Sequence, residues 1–246
     1  MHRLFPAEAG RRVVYYFTKA QWGLDAVRDQ RIKLSTLDDL NDPFELYAAD
    51  LTDKEQRQVA YDFKARLGAI WGLLCCSKSW DQTLMWSHYA DRHRGVALVL
   101  DVEATNLTDI HYCSERKRFT AADYEKPLKS RMESPGPYAM CTKAECWHYE
   151  DEARTQFPLD RVTKDGDLFF TPFHDAVRLV GVLLGPLCKI KDDDIGWRMH
   201  PDQQLTVART RIAFGSFRVV PRQDAPHTED ASPSAGGLVS AAKIES

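Results

Sequence analysis

Val13-Val14-Tyr15-Tyr16-Phe17, with Thr18 directly after it and Ile32-Lys33-Leu34-Ser35 a short way on, is the stretch that decides the fold. Two β-branched residues and three aromatics suit a pleated, half-buried surface, so residues 13–17 are predicted as a first strand. Thr18 carries the side chain of a helix N-cap. Ala20 to Asp29 places Trp22, Ala26 and Val27 at helical spacing, which predicts a short helix. Ile32 to Ser35 then returns as a second strand, completing a compact strand–helix–strand unit.

Outward from this unit, Asn41-Asp42-Pro43-Phe44-Glu45 has the pattern of a capping box, with Asp42 as N-cap, Pro43 in the first helical position and Glu45 three residues after the cap. A helix including Asp53 to Leu67 is expected to follow. The apolar run around Leu73 to Cys76 predicts a buried strand closed by Ser77. Leu84 to Asp91 predicts a helix whose end is marked by Arg92, His93 and Arg94, with Gly95 in the left-handed position after it. Trp86, Tyr89 and His93 would then share one stripe, serving either as core or as the floor of a pocket with Ser87 or His88 nearby. Val96 to Leu100 and Leu179 to Leu184 read as buried strands. Cys113 to Cys141 reads as a charged surface excursion, and Asp192 to Ile195 as a helix start. Val207 to Val220 reads as one strand bent at Gly215. The expectation is one α+β domain over residues 13–221, an arm over 1–12 and a disordered tail over 222–246, where Pro, Ser, Gly and acidic residues lack periodicity.

The composition fits this picture. The chain has 246 residues, 43% hydrophobic and 28% charged, and a formal net charge of −3. That balance opposes general attraction to nucleic acid or anionic lipid, though it leaves room for a local basic groove. No apolar stretch approaches the length of a membrane span, and Met1 to Arg12 has no apolar signal region, so a cytoplasmic protein without a membrane partner is expected. Six cysteines are scattered, and disulfides are not expected in that compartment. Cys141, Cys146 and His148 lack a fourth ligand at a zinc-like spacing, so no metal is expected. Walker, dinucleotide-fold, nucleophile-elbow and zincin motifs are all missing.

Trp147 to Phe157 alternates with period two and would put His148, Glu150, Glu152 and Arg154 on one face of a strand. Two carboxylates that close repel, so one pKa should rise unless Arg154 or His148 compensates. Such tuning suits acid–base or electrostatic work, while the same pattern also fits a solvated strand face with cross-strand ion pairs. Asn41 and Asp42 serve helix capping on this reading, with reach to a ligand as the alternative.

Three motifs occur in order: Asn41-Asp42-Pro43-Phe44-Glu45; Met85-Trp86-Ser87-His88-Tyr89-Ala90-Asp91 with His93-Arg94-Gly95; and Trp147-x-Tyr149-Glu150-x-Glu152-x-Arg154. Over residues 13 to 221 the chain resembles the bacterial domain-of-unknown-function family 2971. At a second level it resembles the ADP-ribosyltransferase superfamily. That resemblance implies a split mixed sheet flanked by helices and gripping NAD as a substrate, with Tyr16, Ser35 and Glu152 (or Glu150) at the three motif positions. Tyr16 departs from the usual His or Arg of the first strand. The implied function is transfer of ADP-ribose to a macromolecular acceptor, or NAD hydrolysis, in a toxin or anti-phage setting. Glu152 and Glu150 would be catalytic, and Tyr16, Ser35, His88, Tyr89 and Arg154 would bind the nucleotide. Two alternatives stand beside it. One is a non-enzymatic nucleotide- or partner-binding module. The other is a metal-dependent nuclease with Asp42, Glu45, Glu150 and Glu152 as oxygen ligands.

Overall fold

The computed structural model of the chain describes residues 4–119, 135–191, 194–195, 205–222 and 227–228. At its centre lies β4 (Val96–Glu103), whose first seven residues are all buried. Such a strand is apolar on both faces because both faces are covered. On one edge it pairs antiparallel with β1 (Arg11–Thr18), from Arg11↔Glu103 to Thr18↔Val96. On the other it pairs antiparallel with β11 (Val177–Leu184), whose register shifts between Leu179 and Gly181. β12 (Thr206–Ile212) adds parallel to β11, making the sheet mixed, and β13 (Val219–Pro221) forms its outer edge.

Beyond β1 the sheet forks. β1 meets β3 (Trp71–Ser77) through a single pair, Tyr15↔Ser77. β3 in turn pairs along its whole length with β8 (Glu152–Pro158), which carries the short strand β5 (Thr108–Asp109). The edge that β3 withholds from β1 is taken by Ser35, which exchanges both backbone hydrogen bonds with Leu73 at 2.8 Å. Ser35 follows β2 (Arg31–Leu34), and β2 belongs to a separate sheet with β10 (Leu168–Pro172) and β9 (Thr163–Asp165). The chain is thus α+β with a curled, split mixed sheet, and the split opens between β1 and β3.

Helices cover the two faces. α1 (Ala20–Asp29) buries Leu24 and Val27 against Val14, Leu98 and Leu100. On the opposite face, α3 (Thr83–Tyr89) buries Met85 and Trp86 against Tyr15, Phe17 and Val99, with the Trp86 and Phe17 rings edge to face at 5.0 Å. β1 therefore alternates, Val14 and Tyr16 toward α1, Tyr15 and Phe17 toward α3. α2 (Lys54–Gly68) is a mostly exposed surface helix. No helix among the described residues is long and apolar enough to cross a membrane.

Several local expectations need correction. Thr18 ends β1, and Lys19 is the residue at the α1 N-cap. Asp42 caps no helix. Its carboxylate accepts the Phe44 N–H at 2.9 Å in a tight turn, and the capped helix begins after Asp53, whose side chain accepts the Gln56 N–H. The left-handed residues after α3 are Asp91, Arg92 and His93 rather than Gly95. Gly95 is needed for close approach, since a Cβ there would lie 2.2 Å from the Thr18 carbonyl oxygen. His93 lies beyond the end of α3, so the stripe is confined to Trp86 and Tyr89. Residues 207–220 form a hairpin, β12 and β13 joined by 213–218, instead of one bent strand. Of the charged excursion, 120–134 lie outside the described residues, as does most of the expected tail. Within the latter, β14 (His227–Thr228) pairs with β12.

Candidate functional site

The site is built where the fork of the sheet meets an ion-pair cluster. β7 (Thr142–Ala144) runs into a 3-10 turn, Glu145–Glu150, and Asp151 takes a left-handed conformation (φ 43°) before β8 begins at Glu152. The continuous strand expected over 147–157 is therefore half 3-10 turn. Asp tolerates the left-handed region better than most residues, and its N–H is satisfied by the His148 carbonyl at 3.1 Å. Alternation over so few residues cannot distinguish the two backbones. Glu150 nonetheless reaches the side of Glu152, through the turn and not through a shared strand face. His148 points elsewhere, its ring packed on Tyr112.

Only Glu152 and Arg154 keep the predicted relation, two residues apart on one face of β8, with Arg154 Nε 2.5 Å from Glu152 Oε1. From 109 residues away Glu45 grips the same guanidinium at both ends, Nη1–Oε1 2.7 Å and Nη2–Oε2 3.0 Å. Lys143 on β7 reaches Glu150 at 2.6 Å and Glu152 at 2.8 Å. The Tyr89 hydroxyl donates to Glu150 Oε1 and itself accepts a hydrogen bond from Asn41 at 3.0 Å. Glu45, Glu150, Glu152 and Arg154 are each at most 4% exposed. Three carboxylates thus face two cations in a dry setting, where charges are tolerated only when paired and hydrogen-bonded.

The two cavity-facing carboxylates are driven apart in pKa. Burial pushes Glu152 up, but Arg154 and Lys143 outweigh it and hold the group at about 2. Burial, with Glu152 alongside, pushes Glu150 above the ordinary carboxylate range despite Lys143. A depressed carboxylate stabilises the fold above its unfolded pKa, and that stability is lost as pH falls toward the folded value. Acid titration of the wild type in urea is therefore expected to show stability falling between roughly pH 4.3 and pH 2. In Glu152→Gln the fall over this window should be shallower. Glu150 acts in the opposite sense, its contribution present at low pH and lost as pH rises through its elevated pKa.

A cavity of about 490 Å³ opens at the fork. Tyr16, Ser35, His88, Tyr89, Glu150 and Glu152 all line it, from β1, the end of β2, α3, the 3-10 turn and β8. Arg154, also expected at the ligand, is instead behind Glu152 and buried. Sequence reasoning missed Lys143, Asp39, Cys75 and Cys76 as lining residues, and it grouped Glu45 with Glu150 and Glu152 only as a metal ligand of the nuclease alternative, not as a partner of Arg154. Glu45 was absorbed by the capping pattern, and Lys143 carries no local signal. A second cavity of about 460 Å³, lined by Trp22, Ile32 and Phe170 among others, shares Tyr16 with the first. Lys33 lines the second and lies 3.4 Å from Asp39, which lines the first. Tyr16 and the Lys33–Asp39 pair thus stand between the two lobes. Burial, then Cys76, Cys75 and Asp39, push the Tyr16 hydroxyl far up, so at neutral pH it is a hydrogen-bond donor.

Residues 85–155 match the model of the family described as a protein of unknown function (DUF2971). The match supports the DUF2971 family. No curated protein and no solved structure matches the chain. The DUF2971 segment supplies His88, Tyr89, Lys143, Glu150, Glu152 and Arg154, whereas Tyr16, Ser35 and Glu45 come from the part of the chain before it. The second-level resemblance to ADP-ribosyltransferases finds no support in these comparisons.

Proposed function

We propose that the chain is an ADP-ribosyltransferase-like enzyme that binds NAD across the two adjacent lobes and cleaves the nicotinamide–ribose bond. The observation that carries this reading is that Tyr16, Ser35 and Glu152 line one cavity at the fork of a split sheet. The first lobe, aromatic and acidic, suits a flat cationic ring on a ribose. The second, walled by Trp22 and Phe170, suits a second base. Lys33 at the junction is placed for a phosphate.

In that reading the C1′–N bond breaks with its electron pair leaving on nicotinamide, and positive charge grows on the ribose. Glu152, ionised because Arg154 and Lys143 hold its pKa down, stabilises that charge from a fixed position. The oxygen of an acceptor or of water then attacks C1′, and its proton passes to Glu150. Two carboxylates with separated pKa values are suited to such divided roles.

One observation favours the binding-module alternative. Both oxygens of Glu152 are already engaged, by Arg154 and Lys143, as they would be in a purely architectural cluster. The nuclease reading is weaker: Arg154 and Lys143 stand where a metal would need to sit, and Asp42 is turned to the Phe44 N–H.

The test is a melting titration with NAD, and with AMP as a one-lobe control. At a hundred times its dissociation constant NAD should stabilise the fold by about 2.7 kcal/mol. For a chain of this length that raises Tm by roughly 5–10 °C. Tyr16→Ala and Trp22→Ala should each shrink the shift. No rise up to millimolar NAD would remove the NAD reading and leave the binding module.

A further inference from the structure

The tip of the β12–β13 hairpin, residues 213–218, carries the two most exposed large apolar side chains among the described residues, Phe214 at 94% and Phe217 at 99%. Aromatic rings left wholly in water oppose the main driving force of folding, so a position that keeps two of them invites a partner. The loop is held in place. Thr83 donates to the Phe217 carbonyl at 2.7 Å, the Val219 N–H donates to the Asp81 carbonyl at 3.0 Å, and Arg218 pairs with the buried Asp81 carboxylate. These anchors lie at the start of α3, the helix whose Met85, His88 and Tyr89 line the fork cavity. The platform is therefore tied to the helix that also lines the cavity.

Its charge is also distinctive. From Leu205 to Arg222 the chain has four arginines and no acidic residue, within a protein of net charge −3. Asp81 neutralises Arg218. The Arg211 guanidinium lies over the Phe214 ring, 4.6 Å from its centroid.

We infer that this hairpin tip docks single-stranded nucleic acid, with Phe214 and Phe217 as base-stacking platforms and Arg211 as a phosphate contact. Exposed aromatics interleaved with arginine are the physical requirement for sequence-tolerant binding of single strands, each stacked base contributing roughly 5- to 150-fold in affinity. A bilayer fits less well, because stable anchoring takes a larger apolar insertion or a second signal. The docking itself is independent of the transferase reading. Its role as the acceptor of ADP-ribose rests on that reading.

The experiment is fluorescence anisotropy of labelled oligo-dT and oligo-U of about twelve nucleotides with the full chain, beside a duplex control and phosphatidylserine vesicles. The proposal expects single strands to bind more tightly than duplex, with at least a tenfold loss in the Phe214→Ala/Phe217→Ala double variant. Arg211→Ala should lower the salt slope by about one. Both phenylalanines are exposed, so the double variant should melt as the wild type does. Absent binding at low salt, binding indifferent to the two phenylalanines, or Phe-dependent binding to vesicles but not oligonucleotides would each overturn it. The NAD melting shift, measured in the same variant, separates the two readings. Lost oligonucleotide binding with the shift intact, set against wild-type binding, locates docking at the tip. A missing shift beside Phe-dependent binding overturns the transferase reading alone.

Discussion

Arg154→Met is expected to lower the stability of the fold by about 3–5 kcal/mol, the cost typical of removing one partner from a buried ion pair. Arg154 is 2% exposed and is the common partner of Glu45 and Glu152, which the fold brings together from distant parts of the chain. Methionine fills similar space but leaves three carboxylates in a dry site with only Lys143 to share among them. Lys143 is 2.8 Å from Glu152 but 3.8 Å from Glu45, so Glu45 is the group left stranded. At roughly 2–4 °C per kcal/mol for a chain of this size, Tm should fall by about 6–20 °C. Urea denaturation is the check. A loss below 1 kcal/mol would mean that water reaches the cluster and solvates the abandoned charges. Replacing Arg154, Glu45 and Glu152 together by apolar residues of like volume should cost far less than Arg154→Met alone, because no unpaired charge then remains.

The second large effect is on turnover. Glu152→Gln should reduce release of nicotinamide from NAD by about 10²- to 10³-fold, the range seen when one preorganised electrostatic partner of a transition state is removed. Because Glu152 also serves Arg154, the comparison that matters is with Glu45→Gln. That variant takes the same charge from the same guanidinium but lies off the cavity wall. Its turnover should fall at least tenfold less than that of Glu152→Gln, with a similar loss of Tm. Equal losses in both would make Glu152 a structural partner, and the cavity a binding site without chemistry at that carboxylate.

Much of this arrangement is legible along the chain. The β-branched and aromatic run at 13–17, the helix at 20–29, the apolar strands at 73–76, 96–100 and 179–184, and the candidates Tyr16, Ser35, His88, Tyr89, Glu150 and Glu152 all follow from local pattern or resemblance. Each depends on period, propensity or motif, which neighbouring residues carry by themselves. Less legible was the role of Glu45. Its spacing from Asp42 satisfies a capping box, yet the carboxylate is spent on Arg154 across 109 residues. The 3-10 turn before β8 was hidden too, since Trp147 and Tyr149 alternate as they would on a strand.

What the sequence by itself determined, then, is the strands β1, β3, β4 and β11, the helices α1, α2 and α3, and about half of the polar residues at the cavity wall. Tertiary structure alone decided the fork between β1 and β3, which exists because Ser35 takes the edge at Leu73. It alone decided that Glu45 and Lys143 complete the cluster around Arg154, and which of Glu150 and Glu152 holds its proton more tightly. The physical reason is range. Strand and helix preferences act between residues a few positions apart, whereas desolvation and charge pairing depend on which distant groups the fold brings within 3 Å of one another.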